Sequence, residues 1–156
     1  AKQAKAMTLA LGYSEKEKIT TKKQETALAF LIAMETAMRA GEVLQAQVKG
    51  RVAYLPKTKN GDAREVPLST KAVALFKRIP KGFTVSSATL DAAFRKARDD
   101  AGLSGFTFHD SRATALTRLA RVLNVLDLAR MVGHRDPRSL MIYYRESSES
   151  IADRLG

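Results

Sequence analysis

Between Phe106 and Glu146 the chain reads FTFHDSRATALTRLARVLNVLDLARMVGHRDPRSLMIYYRE. Both histidines of the protein, His109 and His134, lie in this stretch. So do Arg112, Arg130 and a tyrosine pair, Tyr143 and Tyr144. His109 and Arg112 are three apart, so on a helix they share one face. Tyr143 follows His134 by nine residues, across a turn marked by Asp136-Pro137. These side chains suit phosphoryl transfer. A phenol can attack phosphorus, guanidinium groups can hold the non-bridging oxygens, and an imidazole can move a proton.

The elements that must position these groups can be read around them. Asp110–Leu123 reads as a helix with Leu116, Leu119 and Ala120 on its core face. Val125–Val132 reads as another, ended by Gly133. A short helix from Arg138 to Tyr144 presents the tyrosines. Upstream, Thr21 is an N-cap for a helix from Lys22 to Met38 that is apolar nearly all round, so it is read as the buried central helix. Arg39 stands at its C-terminal end, where a cation satisfies the helix dipole even with no other role. Gly41–Gln47 is a second short helix, in which Glu42 can orient Arg39. Arg51–Leu55 and Glu65–Leu68 read as strands around a loop holding Asn60-Gly61. Gly82–Val85 is a candidate third strand. Ser69 caps a helix over Thr70–Arg78, and Ser87 or Thr89 starts one over Leu90–Ala101. Residues 1–20, Lys- and Ala-rich, read as a linker with a possible helix, the expected seam to a missing N-terminal DNA-binding region. Residues 21–156 then form one domain. Its tail, residues 146–156, carries Ile151 and Leu155 as one apolar stripe.

The composition narrows the partners. Lys plus Arg is 27 against 16 Asp plus Glu, a formal charge of +11 in 156 residues. That favours a polyanion, nucleic acid before membrane, because no basic amphipathic helix with aromatic anchors stands out. Nine basic and two acidic residues lie between Lys49 and Lys81, the most basic stretch, which is expected to face DNA phosphates. No cysteine is present, so disulfides and thiolate zinc sites are excluded, which fits a reducing, cytoplasmic setting. The most apolar run, Ala27–Ala33, is too short to cross a bilayer. Two-metal chemistry needs clustered carboxylates. The best cluster is Asp99-Asp100 on a mixed helix, and the histidines lack a carboxylate ligand set, so no metal or other cofactor is expected.

His109-Asp110-Ser111-Arg112 resembles the HxxR motif of tyrosine recombinases, the phage integrase family. Gly133-His134 followed by Tyr143 resembles that family's GH…Y ending. Ala37-Met38-Arg39-Ala40-Gly41-Glu42 is similar to its first arginine motif. Thr58-Lys59-Asn60-Gly61 with Arg64-Glu65-Val66-Pro67-Leu68 is similar to its β-hairpin lysine segment. Four motifs in the right order make the match specific. Ser111 and Ala113 depart from the leucine and second histidine common in the family. The resemblance implies an α+β fold, mainly α-helical with a small antiparallel β-sheet. It implies a site-specific integrase or recombinase that acts on duplex DNA as a homo-oligomer, a tetramer, without metal or ATP.

The resemblance also implies residue roles. Tyr143 attacks the scissile phosphate and forms a 3′-phosphotyrosyl link. Arg39 and Arg112 neutralise the non-bridging oxygens. His109 handles the tyrosine proton or hydrogen-bonds the phosphate, His134 hydrogen-bonds a non-bridging oxygen, and Lys59 protonates the leaving 5′-hydroxyl. With Tyr144 adjacent, the choice of nucleophile rests on the nine-residue spacing alone. Two other functions stay open at this point. One is a non-catalytic DNA-binding module, since the helices around Leu123-Asn124 could form a helix-turn-helix. The other is a type IB topoisomerase-like enzyme.

Overall fold

The computed structural model describes residues 2–57 and 63–156. Its chain order is α1 (Lys2–Ala10), α2 (Lys22–Thr36), α3 (Ala40–Gln45), β1 (Gln47–Lys49), β2 (Val52–Leu55), β3 (Arg64–Pro67), α4 (Thr70–Lys77), α5 (Ser87–Asp100), α6 (Asp110–Leu119) and α7 (Val125–Val132). A 3-10 helix (Pro137–Tyr144) and α8 (Ser148–Leu155) complete it. The α+β expectation, mainly helical with a small antiparallel sheet, holds.

α2 is the axis of the fold. The Thr21 hydroxyl accepts the Gln24 N–H, and Gln24 Oε1 accepts the Thr21 N–H, a reciprocal capping box. Residues 24–30 of α2 are all buried, and the helix touches α1, α3, α4, α5 and α6. Phe30 meets Phe94 of α5 and Phe106 and Phe108 of the following loop, with ring centroids 5.3–5.8 Å apart. Such pairs contribute roughly 0.5–1.5 kcal/mol each beyond burial. This cluster fixes the backbone immediately before His109.

Residues 2–20 carry the helix that the linker reading allowed for, and pack on the domain. Lys2–Ala10 is helical, and Met7 and Leu11 are fully buried in the core. Tyr13, Ser14 and Glu17 are tied down by the Arg78 guanidinium, which donates to the Tyr13 hydroxyl and to the Ser14 and Glu17 carbonyls. Spaced as they are among Lys and Ala, Met7 and Leu11 gave too little periodicity to reveal the packing.

The sheet has the order β1-β2-β3, both pairs antiparallel, with Val48 opposite Ala53 and Ala53 opposite Val66. The third strand is β1, not Gly82–Val85. That segment pairs with no described strand, and the buried Glu25 carboxylate instead accepts the Thr84 and Val85 N–H groups at 2.7 and 3.1 Å. Several helices are shorter than their periodic pattern suggests. α6 ends at Leu119, and Asn124, whose side chain accepts the Asp127 N–H at 2.9 Å, starts α7 afresh. In α8 no residue is buried, and Leu155 is 82% exposed.

Candidate active site

Four segments converge on one cleft of about 330 Å³. Its walls carry Arg39, His109, Arg112, His134 and Tyr143, together with Asp110 and Ser139. Five of the six residues singled out from the sequence therefore line a single cavity. The sixth, Lys59, lies outside the described residues, in the connection between β2 and β3.

Arg112 is the centre of the cleft and is itself 5% exposed. Its Nη1 donates to the Ala37 carbonyl at 2.6 Å, and its Nη2 lies 3.3 Å from the Val132 carbonyl and 3.1 Å from His134 Nε2. These bonds join the end of α2 to the end of α7. Ala37 is the one non-glycine among the described residues with a left-handed backbone, φ 62°. That conformation costs an alanine about 1–2 kcal/mol. It ends α2 sharply, aims the Ala37 carbonyl at Arg112, and turns the chain so that Arg39 reaches the cleft. Strain kept at such a place is a pointer to function.

The acidic partner of this region is Glu42. Its Oε1 accepts the Arg39 backbone N–H at 2.8 Å and its Oε2 accepts Arg64 Nη1 at 2.5 Å. The Arg39 guanidinium stands 3.8 Å from the same carboxylate and is half exposed. Burial works against the Glu42 charge, yet the bonds from Arg64 and the Arg39 backbone hold its carboxyl below the usual range. Arg64 belongs to the basic stretch from Lys49 to Lys81 that is expected to face DNA. It instead points inward, with Nε donating to the Met131 carbonyl at 3.1 Å. Its place was readable from period-two alternation in β3, which sets Arg64 on the same side as buried Val66.

Gly133 closes α7 with φ 77°, and the next residue's N–H, that of His134, returns to the Ala129 carbonyl at 2.9 Å. The glycine is needed for space as well. A Cβ there would lie 2.9 Å from Arg64 Nη1. His134 follows directly, with Nδ1 2.7 Å from Ser139 Oγ. Ser139 has no sequence signal beyond standing five residues on, in a 3-10 turn whose register the helix pattern did not give.

The two tyrosines part company. Tyr143 lines the cleft. The Tyr144 hydroxyl donates to the Leu123 carbonyl at 2.7 Å, and burial pushes its pKa up, with Asp127 adding to the effect.

Electrostatically the cleft is short of negative charge. Arg39, Arg64 and Arg112 surround one carboxylate, Glu42. Burial and then the neighbouring Arg39 lower the Arg112 pKa to about 10, so it remains charged at neutral pH while poorly compensated. Burial, then Arg112, Arg39 and Arg64, also push the His134 pKa down.

Comparison with known proteins fits this geometry. A profile of the phage integrase family matches residues 3–150. The chain belongs to the phage integrase family. A Haemophilus influenzae protein named integrase/recombinase is 39% identical over 150 residues, covering 88% of the chain and 49% of that protein. The shufflon-specific DNA recombinase of Escherichia coli is 35% identical over 126 residues, covering 73% of the chain and 33% of that protein. The chain thus spans half or less of the length of these relatives. In fold it resembles the catalytic domain of bacteriophage HP1 integrase, with a TM-score of 0.70 at 21% identity over 99% of the chain and 90% of that domain. It also resembles the Tn1549 transposon integrase in complex with circular intermediate DNA, with a TM-score of 0.71 at 16% identity over 97% of the chain and 62% of the other. The described residues hold no helix long and apolar enough to cross a membrane.

Proposed function

We propose that this recombinase-family chain cleaves and rejoins duplex DNA through a 3′-phosphotyrosyl link to Tyr143, without metal or ATP. The observation that carries the reading is the shared cleft. It gathers a phenol, two imidazoles and two guanidinium groups, while the neighbouring Tyr144 hydroxyl is committed to a backbone carbonyl.

The Tyr143 oxygen attacks phosphorus as the bond to the 5′-oxygen breaks. Arg39 and Arg112 stabilise charge on the non-bridging oxygens, the largest expected contribution. His134 donates to one of those oxygens. His109, exposed at the start of α6, takes the tyrosine proton or bonds the phosphate. Lys59, from the β2–β3 connection, gives the 5′-oxygen its proton. The new ester conserves the energy of the broken one, so the 5′-hydroxyl of a second strand can reverse the step. Exchange of strands in this way requires several copies on DNA, and a tetramer is the assembly we propose.

The test uses a nicked suicide duplex carrying the recombination site. Tyr143→Phe should abolish the covalent adduct and leave DNA binding nearly intact. Tyr144→Phe should form the adduct, with reduced thermal stability from the lost bond to Leu123. The reverse pattern would reject Tyr143 as nucleophile. No adduct from the unaltered chain would support a DNA-binding module instead. Strand-transfer products separate a recombinase from a topoisomerase.

A further inference from the structure

A guanidinium has donors and no acceptor. Arg112 Nη2 lies 3.1 Å from His134 Nε2, so a hydrogen bond between them needs that nitrogen bare and the ring proton held on the other nitrogen. The ring proton then sits on Nδ1, 2.7 Å from Ser139 Oγ. Ser139 is free to accept it, because its own hydroxyl donates to the Asp136 carbonyl at 2.9 Å. Every group in the chain from Arg112 to Asp136 has one role and none conflicts. A histidine side chain free in water favours the opposite tautomer, so the arrangement is imposed by its neighbours.

We propose that Ser139 is a positioning residue that fixes His134 as the Nδ1–H tautomer, so that Nε2, the nitrogen facing the DNA phosphate, gains a proton from solvent before it donates to a non-bridging oxygen. This rests on the reading that the scissile phosphate occupies the cleft. The groups facing His134 are Arg112 from α6, Arg39 from the turn before α3, Arg64 from β3, and Tyr143 and Ser139 from the 3-10 helix. His109 and Asp110 line the same cleft. Burial and then the three cations disfavour the charged form of the free ring. A phosphodiester brings one negative charge and replaces His134 as the acceptor for Arg112. The proton taken from water stays on Nε2 while the anion is bound and leaves with it. The donor is a solvent hydronium, whose O–H bond breaks as the N–H bond forms and which leaves as water; the reverse transfer accompanies release of the anion.

The test begins with ¹⁵N-histidine-labelled chain, using long-range proton–nitrogen correlation at a pH where the His134 ring is neutral. His109→Gln assigns the signals. Unaltered chain should show a protonated Nδ1 and a bare Nε2 at His134. Ser139→Ala should move the ring toward the Nε2–H form, and Ser139→Thr, which keeps the hydroxyl, should restore the Nδ1–H form. Sodium sulfate, compared with chloride at equal ionic strength, should raise the pH at which His134 titrates. In adduct assays at saturating DNA the rate should fall about tenfold per pH unit above the pKa that His134 has in the DNA complex. The Ser139→Ala rate should be lower but flatter with pH, because a neutral Nε2–H ring can donate.

An Nε2–H ring in the unaltered chain, or a spectrum unchanged by Ser139→Ala, would overturn the proposal. So would a His134 titration blind to sulfate. If the tautomer and the sulfate response hold while no adduct ever forms, this inference stands and the assignment of DNA cleavage fails.

Discussion

At the scale of the residue, Arg112 does two jobs that are usually separate. It faces the cleft, and it also ties two backbone carbonyls, those of Ala37 and Val132, at the ends of α2 and α7. Arg112→Ala should therefore do more than slow cleavage. Losing one charge-stabilising donor slows such reactions by about a hundredfold or more. Leaving the buried carbonyls unpaired should add a stability loss of about 1–3 kcal/mol, read from urea or thermal melts. Arg112→Lys keeps a charge but loses the planar fork, so it should also be destabilised. A variant that melts like the unaltered chain would show the two carbonyl bonds to be incidental. Lys59 calls for a different experiment. If it protonates the departing 5′-oxygen, Lys59→Ala should cleave ordinary DNA slowly and recover on DNA with sulfur at the bridging 5′ position, since a thiolate leaves without a proton. Arg112→Ala should not recover there. Slow cleavage by Lys59→Ala on both substrates would make the lysine a DNA anchor only.

At the scale of the element, the cleft depends on how α2, α3, β3 and α7 end or begin. Gly133→Ala tests this directly. The position needs φ 77°, and an added methyl meets the Arg64 guanidinium at 2.9 Å. We expect a loss of about 1–3 kcal/mol in unfolding free energy. Cleavage should be lost along with it, because Arg64 must move off Glu42 or His134 must shift. Full stability would mean that Arg64 relaxes freely and does not couple β3 to α7. The same elements show what a sequence can and cannot disclose. α7 and its glycine end, the Ser69 cap of α4, and the β2–β3 pair were legible, because each has a local signature in period, cap or turn. β1 was not, because a three-residue strand is defined by its partner rather than by its own pattern. The left-handed Ala37 was hidden too, since it is held by a contact with Arg112, 75 residues away. Five side chains that line the cleft were readable from their types, their spacing and the family resemblance. Two side chains that hold them are not signalled: Arg64 acts across the fold on Met131 and Glu42, and Ser139 depends on the register of the 3-10 turn.

At the scale of the whole molecule, the charge of +11 and the cation-rich cleft act on different steps. Surface charge governs encounter and binding. Lys and Arg that neutralise phosphates release counterions, so the logarithm of affinity should fall linearly with the logarithm of salt concentration. Replacing one phosphate-contacting residue in the basic stretch from Lys49 to Lys81 should reduce that slope by about one. In the mechanism we propose, the cleft governs the chemical step, and Arg39 and Arg112 supply the positive charge that a divalent ion supplies in many nucleases. Measured at saturating DNA, cleavage should thus respond little to moderate salt and should persist in excess EDTA. The two titrations are informative together. A rate that follows salt as steeply as affinity does would locate the active charges on the exposed surface rather than in the cleft. A rate lost in EDTA and restored by Mg²⁺ would mean that the guanidinium groups do not suffice, and the metal-free mechanism would have to be abandoned even with Tyr143 as the nucleophile.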